Sequence, residues 1–170
     1  MTRKTIVSVI GGHSCEPEVE QLAQKLGIKL AKVVDILVTG GLKGTMMAVC
    51  KGFKEAGGMT VGIIPSYDKD TANPYVDIVI PTGMGIARNV IVVACADAIV
   101  ALPGEAGTLS EVAFALQLAI PVISLGSWQI NGVIKVKTLE EAEKTIKKLL
   151  KSKKAEHKQQ IKKLSLKLGF

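Results

Sequence analysis

The 170-residue chain is long enough for one domain with a substantial core. Hydrophobic residues make up 48% of it and aromatics only 4%, so the core has to be built from Val, Ile, Leu and Ala, the profile of parallel strands covered by helices on both faces. The net charge of +7 lies entirely in residues 141–170, which hold ten Lys against three Glu, and this excludes a uniformly basic nucleic-acid-binding body.

Residues 1–140 balance twelve basic against twelve acidic groups. The lysine-rich end has no interleaved aromatic until Phe170, so it reads as a solvated helix face, and nucleic acid is not the expected partner. No apolar run reaches the roughly 18 residues of a membrane helix. Met1–Ile10 has a short apolar run with no small-residue cleavage site after it, and is read as a first strand rather than a signal peptide. Cys15, Cys50 and Cys95 are few and far apart, which fits a reducing cytoplasm and no disulfide framework. His13 and His157 are the only histidines, so a His-based metal site is not expected. No metal and no cofactor are expected.

In chain order, Thr5–Ile10 is a β-branched strand ending at Gly11-Gly12. Pro17–Val34 places Val19, Leu22, Ala23, Leu26, Leu30 and Val33 on one helical face. Asp35–Thr39 is a strand ending at Gly40-Gly41, and Thr45–Ala56 is a helix closed by Gly57-Gly58. Met59–Ile64 is a strand stopped by Pro65, and residues 66–75 form a polar loop. Asp77–Ile80 is the fourth strand, Ile86–Ala96 a helix apolar nearly all round, and Ala98–Leu102 a strand ending at Pro103-Gly104. Thr108–Ala119 is a second greasy helix. Pro121–Leu125 and Val133–Val136 complete the strands. Thr138 caps a final helix whose Leu139, Ala142, Ile146 and Leu149 face inward, and Ile161, Leu164 and Leu168 extend the helical spacing into the tail.

This βα alternation predicts an α/β, Rossmann-like three-layer fold with a mostly parallel sheet of six or seven strands and right-handed crossovers. Residues 1–150 are expected to form the nucleotide-binding domain and 151–170 a basic helical tail. A helix apolar on all sides is buried on all sides. The helices over 86–96 and 108–119 therefore need a cover, and a homodimer is expected through them. The alternative cover is the C-terminal helices of the same chain.

Ligands of doubly wound sheets bind beyond the carboxyl ends of the strands. Two glycine turns there run straight into helices: Gly40-Gly41-Leu42-Lys43-Gly44-Thr45 and Pro103-Gly104-Glu105-Ala106-Gly107-Thr108. With Gly11-Gly12-His13-Ser14 they converge on one edge. Helix N-termini offer free N–H groups and a positive dipole end, which suits a phosphate. The expected anion contacts are Gly12, Ser14, Gly40, Gly41, Gly44, Thr45, Gly104, Gly107 and Thr108. Neither turn has Walker or GxGxxG spacing. Thr108-Leu109-Ser110-Glu111 fits a capping box, which is the favoured reading of Glu111 from the residues alone; a carboxylate there also suits a general base or cation stabiliser. Arg88 is expected to pair with Asp97 or Glu111, and Asp97 is read as a turn residue.

Pro103–Glu111 resembles the PGGxGTxxE signature of the LOG family of cytokinin-activating phosphoribohydrolases, long mislabelled as lysine decarboxylases. Val9–Ser14 and Thr39–Met47 resemble that family's other glycine turns, and the resemblance covers about residues 5–126. Short relatives share stretches like Ala72–Asp77 and Gly83–Asn89. The resemblance implies hydrolysis of the N-glycosidic bond of AMP or a modified AMP to base and ribose 5-phosphate, with Glu111 and Arg88 as the catalytic residues. A molybdenum cofactor carrier protein belongs to the same broad group. That implies the alternative of a carrier or sensor for a phosphorylated ligand such as the molybdenum cofactor or a nucleotide. Nothing supports lysine decarboxylation. Glu105 replaces the second glycine of the signature, and Asn89 stands where the family's MHxRK segment has Lys.

Overall fold

The computed structural model describes the backbone of residues 3–168 and the side chains of residues 3–156. In chain order the strands are β1 (Ile6–Ile10), β2 (Ile36–Thr39), β3 (Met59–Ile64), β4 (Ile78–Pro81), β5 (Ala98–Ala101), β6 (Val122–Leu125) and β7 (Ile134–Val136). The helices are α1 (Pro17–Leu30), α2 (Thr45–Glu55), α3 (Asn89–Ala94), α4 (Ala106–Gln117) and α5 (Leu139–Leu168). The strands form one sheet in the order β4-β3-β2-β1-β5-β6-β7, every pair parallel. The fold is the Rossmann-like three-layer one.

Strand alternation divides the core in two. Ala98 and Val100 of β5 face a cluster with Leu26 and Leu30 of α1, Phe53 of α2 and Ile146 of α5. Ile99 and Ala101 face Val92 and Val93 of α3 and Val112 and Ala115 of α4. The period of two along β5 thus feeds both layers. Helices α1 and α2 approach so closely that a Cβ on Gly27 would overlap the Val49 carbonyl, and one on Gly52 the Gln24 carbonyl.

Aspartates stitch the amino ends of the strands. Asp35 accepts from Thr5 N at 2.8 Å and Thr5 Oγ1 at 2.7 Å, and Asp97 accepts from Ile6 N at 2.9 Å. Those Thr5 hydrogen bonds pull the Asp35 carboxyl down to about 2. Asp97 also pairs with Arg3 and is 3.8 Å from Lys153. It is therefore more than a turn residue, and it is not the partner of Arg88.

Four expectations need correction. The helix read over Pro17–Val34 ends at Leu30. A 3-10 turn over Lys69–Thr71 lies inside the segment read as loop. The segment read as a helix over 86–96 is a 3-10 turn, Gly85–Arg88, followed by the short α3. Among the described residues the C-terminal helix does not cover α3 and α4: it packs on α1, β5 and β6, across the sheet from them. Helix α5 starts where Thr138 Oγ1 accepts from Glu141 N at 3.1 Å and continues to Leu168. The docking role read for Ile161, Leu164 and Leu168 concerns side chains outside the described residues. No described helix is long and apolar enough to cross a membrane.

Candidate functional site

The strand order reverses between β1 and β5. From β1 the chain works outward to β4, then crosses to β5 on the other side. The crevice beyond this switch point is where open α/β sheets bind ligands. Here the turns after β1 and β5 are tied together, with Gly12 N donating to Pro103 O at 3.0 Å. The turn after β2 joins them through Thr45 N, which donates to Gly12 O at 3.1 Å. A cavity of about 320 Å³ opens above the three turns, at the small end of the range for ligand pockets.

Gly12, Ser14, Gly40, Arg88, Gly107, Thr108 and Glu111 line this cavity. Gly41, Gly44, Thr45 and Gly104 are not in its wall; they shape the turns behind it. Gly41 and Gly44 have φ of +71° and +63°, a conformation that favours glycine. Thr45 is fully buried against Gly11, and its Oγ1 has no hydrogen-bond partner among the described residues. At Gly104 a Cβ would overlap Thr108 Oγ1. At Gly107 a Cβ would meet nothing within 4 Å, so the space over the first turn of α4 is open.

Helix α4 begins three residues earlier than the expected capping box requires. Glu105 is its N-cap, with no side-chain cap hydrogen bond, and Ala106, Gly107 and Thr108 form its first turn. Those first-turn N–H groups have no intrahelical acceptor and carry the positive end of the helix dipole. Glu111 therefore falls in the second turn and cannot reach back as a cap. Its side chain is buried and points at Arg88, with Oε1 at 3.5 Å from Nη1. The capping-box reading of Thr108 and Glu111 is corrected accordingly.

The Arg88 guanidinium crosses the cavity floor from the end of its 3-10 turn. Nη1 donates to Asn89 Oδ1 at 2.7 Å, Nη2 donates to Gly40 O at 3.4 Å, and Nε has no partner among the described residues. A Cβ at residue 40 would collide with the guanidinium, so glycine there makes room for arginine. Burial pulls Arg88 below its ordinary value, against the opposing pull of Glu111, yet an arginine stays cationic at neutral pH. Burial pushes Glu111 up to about 7, with the Arg88 charge opposing. The site thus pairs a fixed cation holding an unspent donor with a carboxyl group that changes protonation near neutrality.

Residue-type reasoning alone did not single out Asn89 or the apolar wall. Asn89 is buried and bridges Arg88 to Ser110, its Nδ2 donating to Ser110 Oγ at 3.1 Å. Leu42, Met46 and Ile86 give the cavity an apolar side. Among the described residues no group of three His, Cys, Asp or Glu is placed to hold a metal ion.

Known proteins resemble this chain in sequence or in fold. An uncharacterized protein of Archaeoglobus fulgidus is 42% identical over 80% of this chain and 90% of its own length. A probable cytokinin riboside 5′-monophosphate phosphoribohydrolase of Oryza sativa subsp. japonica is 34% identical over 65% of this chain, which spans about half (51%) of that relative. The molybdenum cofactor binding protein of the phototrophic bacterium Rippkaea orientalis superposes with a TM-score of 0.82 at 35% identity, covering 88% of this chain and 99% of that one. The SLOG cluster4 family model matches residues 4–162, nearly the whole of the fold and site just described, and the chain belongs to that family, a short LOG-related group.

Proposed function

We propose that the cavity binds a nucleoside 5′-monophosphate, AMP or a modified AMP, and hydrolyses its N-glycosidic bond to base and ribose 5-phosphate. The observation that carries this reading is the buried Arg88–Glu111 pair facing the cavity beside the open N-terminus of α4. The free amides of α4 and the turn after β1 take the 5′-phosphate. The C1′–N bond breaks with its electrons going to the leaving base, which gains a proton from solvent. The Glu111 carboxylate faces the positive charge developing on the ribose and takes a proton from the water whose oxygen bonds to C1′. Arg88 offers Nε–H to the reacting end. The likeness to the rice phosphoribohydrolase supports this chemistry. The test is ribose 5-phosphate release across a panel of nucleoside monophosphates, with Glu111→Gln as control. No release from any of them overturns the reading.

A second reading is favoured by Glu105 and by the Rippkaea protein, 99% of which this chain covers. Glu105 adds a negative charge at the mouth of the phosphate turn, which opposes tight closure around a reacting phosphate. In this reading the protein carries or senses a phosphorylated ligand, such as the molybdenum cofactor or a nucleotide, without cleaving it. A retained ligand in native mass spectrometry, with no base release, selects it. Either reading includes a homodimer through α3 and α4, whose side presents Ile86, Phe114 and Leu118 at 87%, 39% and 46% exposure. The three free cysteines fit work in a reducing cytoplasm.

A further inference from the structure

The connection from β6 to β7, residues 126–133, holds the chain's single tryptophan. Gly126 and Gly132, with φ of +74° and +93°, bend this segment. A Cβ on Gly126 would lie 3.5 Å from Pro103 Cγ, so the bend passes beside the turn after β5. There Trp128 Nε1–H donates to the Gly104 carbonyl at 3.0 Å. Trp128 is 40% exposed and does not line the cavity, so neither core packing nor ligand contact explains this bond.

Its consequence follows from peptide geometry. The peptide unit is planar and trans, so its C=O and N–H point in opposite directions. Holding the Gly104 carbonyl toward Trp128 turns the Glu105 N–H the other way, and Glu105 lines the cavity. That amide finds no acceptor among the described residues. A flip of the same peptide would present a carbonyl oxygen, a partial negative charge, in place of a donor. The molecule uses the same device on the turn after β2. Asn73 N donates to Gly41 O at 2.8 Å and its Nδ2 to Leu42 O at 2.9 Å, and Leu42 lines the cavity.

We propose that Trp128 is a positioning residue whose indole N–H fixes the Gly104–Glu105 peptide so that the Glu105 amide is presented to an anionic group of the ligand. The inference rests on reading the cavity as an anion site. Trp128→Phe keeps an aromatic ring and deletes the donor, and NMR of the amides reads the result. In ligand-free W128F the Glu105 amide shifts and exchanges faster with solvent, while the melting temperature stays close to wild type. AMP binds W128F about tenfold more weakly, equivalent to about 1.4 kcal/mol. In the wild type, titration with AMP or inorganic phosphate moves the indole N–H and the Glu105 amide together. A Glu105 amide that is the same in ligand-free W128F and wild type overturns the inference. So does AMP binding that the substitution leaves unchanged. If wild type binds neither probe while W128F still displaces the Glu105 amide, the reading of the cavity fails and the positioning role holds.

Discussion

The glycine turn after β2 is buried at Gly40, Gly41 and Thr45, while the turn after β5 leaves Glu105, Ala106 and Gly107 exposed. Both run from a parallel strand into a helix with threonine near its start. In the first, glycine accommodates the protein itself: the Arg88 guanidinium occupies the space a side chain at residue 40 would need. In the second, a Cβ at residue 107 would meet no atom of the described residues within 4 Å. Two turns alike in sequence therefore do different work, one housing the cation and the other exposing amides. Arg88 joins them, reaching from Gly40 O to Glu111.

The largest expected effect comes from the residue at the far end of that link. Glu111→Gln keeps the shape and removes the charge, and should lower the rate of ribose 5-phosphate release by about 10²- to 10⁴-fold. Activity that needs the carboxylate rises with pH through about 7 in the wild type, because burial holds Glu111 there. Stability runs the other way. Glu111 is raised from an ordinary 4.5 to about 7, so between those values the folded state holds a proton that the unfolded state has lost. Its contribution to stability is full below about 4.5, falls as pH rises through that window and is level above about 7. Melting curves from pH 4 to 8 should show this slope in the wild type and lose it in E111Q. A rate that falls with rising pH through 7 would contradict the carboxylate role.

Gly40→Ala is expected to rank next. The added methyl meets the guanidinium, so Arg88 has to leave its place between Gly40 and Glu111. Overpacking of this kind costs about 1–3 kcal/mol, measurable by urea unfolding. Ligand binding should be lost with it, since the displaced cation no longer faces the cavity. Full stability with the methyl in place would mean that the turn after β2 is as open as the one after β5.

Most of the architecture was readable because strands here are short β-branched runs that stop at glycine or proline. Met59–Ile64, for example, is bounded by Gly57-Gly58 and Pro65, and the strand has those limits. The site was less readable where local patterns have two solutions. Thr108-Leu109-Ser110-Glu111 satisfies a capping box, but Pro103-Gly104 delivers the chain so that Glu105 becomes the N-cap, three residues earlier. That offset turns Glu111 inward. The face that α5 covers depends on its register against α1, where Lys29 lies 3.0 Å from Glu140 and 3.5 Å from Glu143. No periodicity encodes that choice. A lone Trp128 in a bent loop and an Asn73 before proline carry no period either, and their roles appear only once the turns they hold are seen.

The gentlest probe of the difference between the turns is Gly107→Ala. The residue lies in the first turn of α4, where alanine is a better helix former than glycine by up to about 1 kcal/mol. Its methyl would meet no atom of the described residues within 4 Å. The fold should therefore be as stable as wild type or slightly more so. The methyl projects into the space over the free amides, which a phosphate would occupy, so AMP or phosphate should bind about tenfold more weakly, near 1.4 kcal/mol. Calorimetry on the two proteins measures both quantities. Gly40→Ala should lose stability and binding together, whereas Gly107→Ala should separate them. If Gly107→Ala binds the anion as well as wild type, the open space over α4 is not where the ligand sits, and the phosphate has to be sought over the turn after β1.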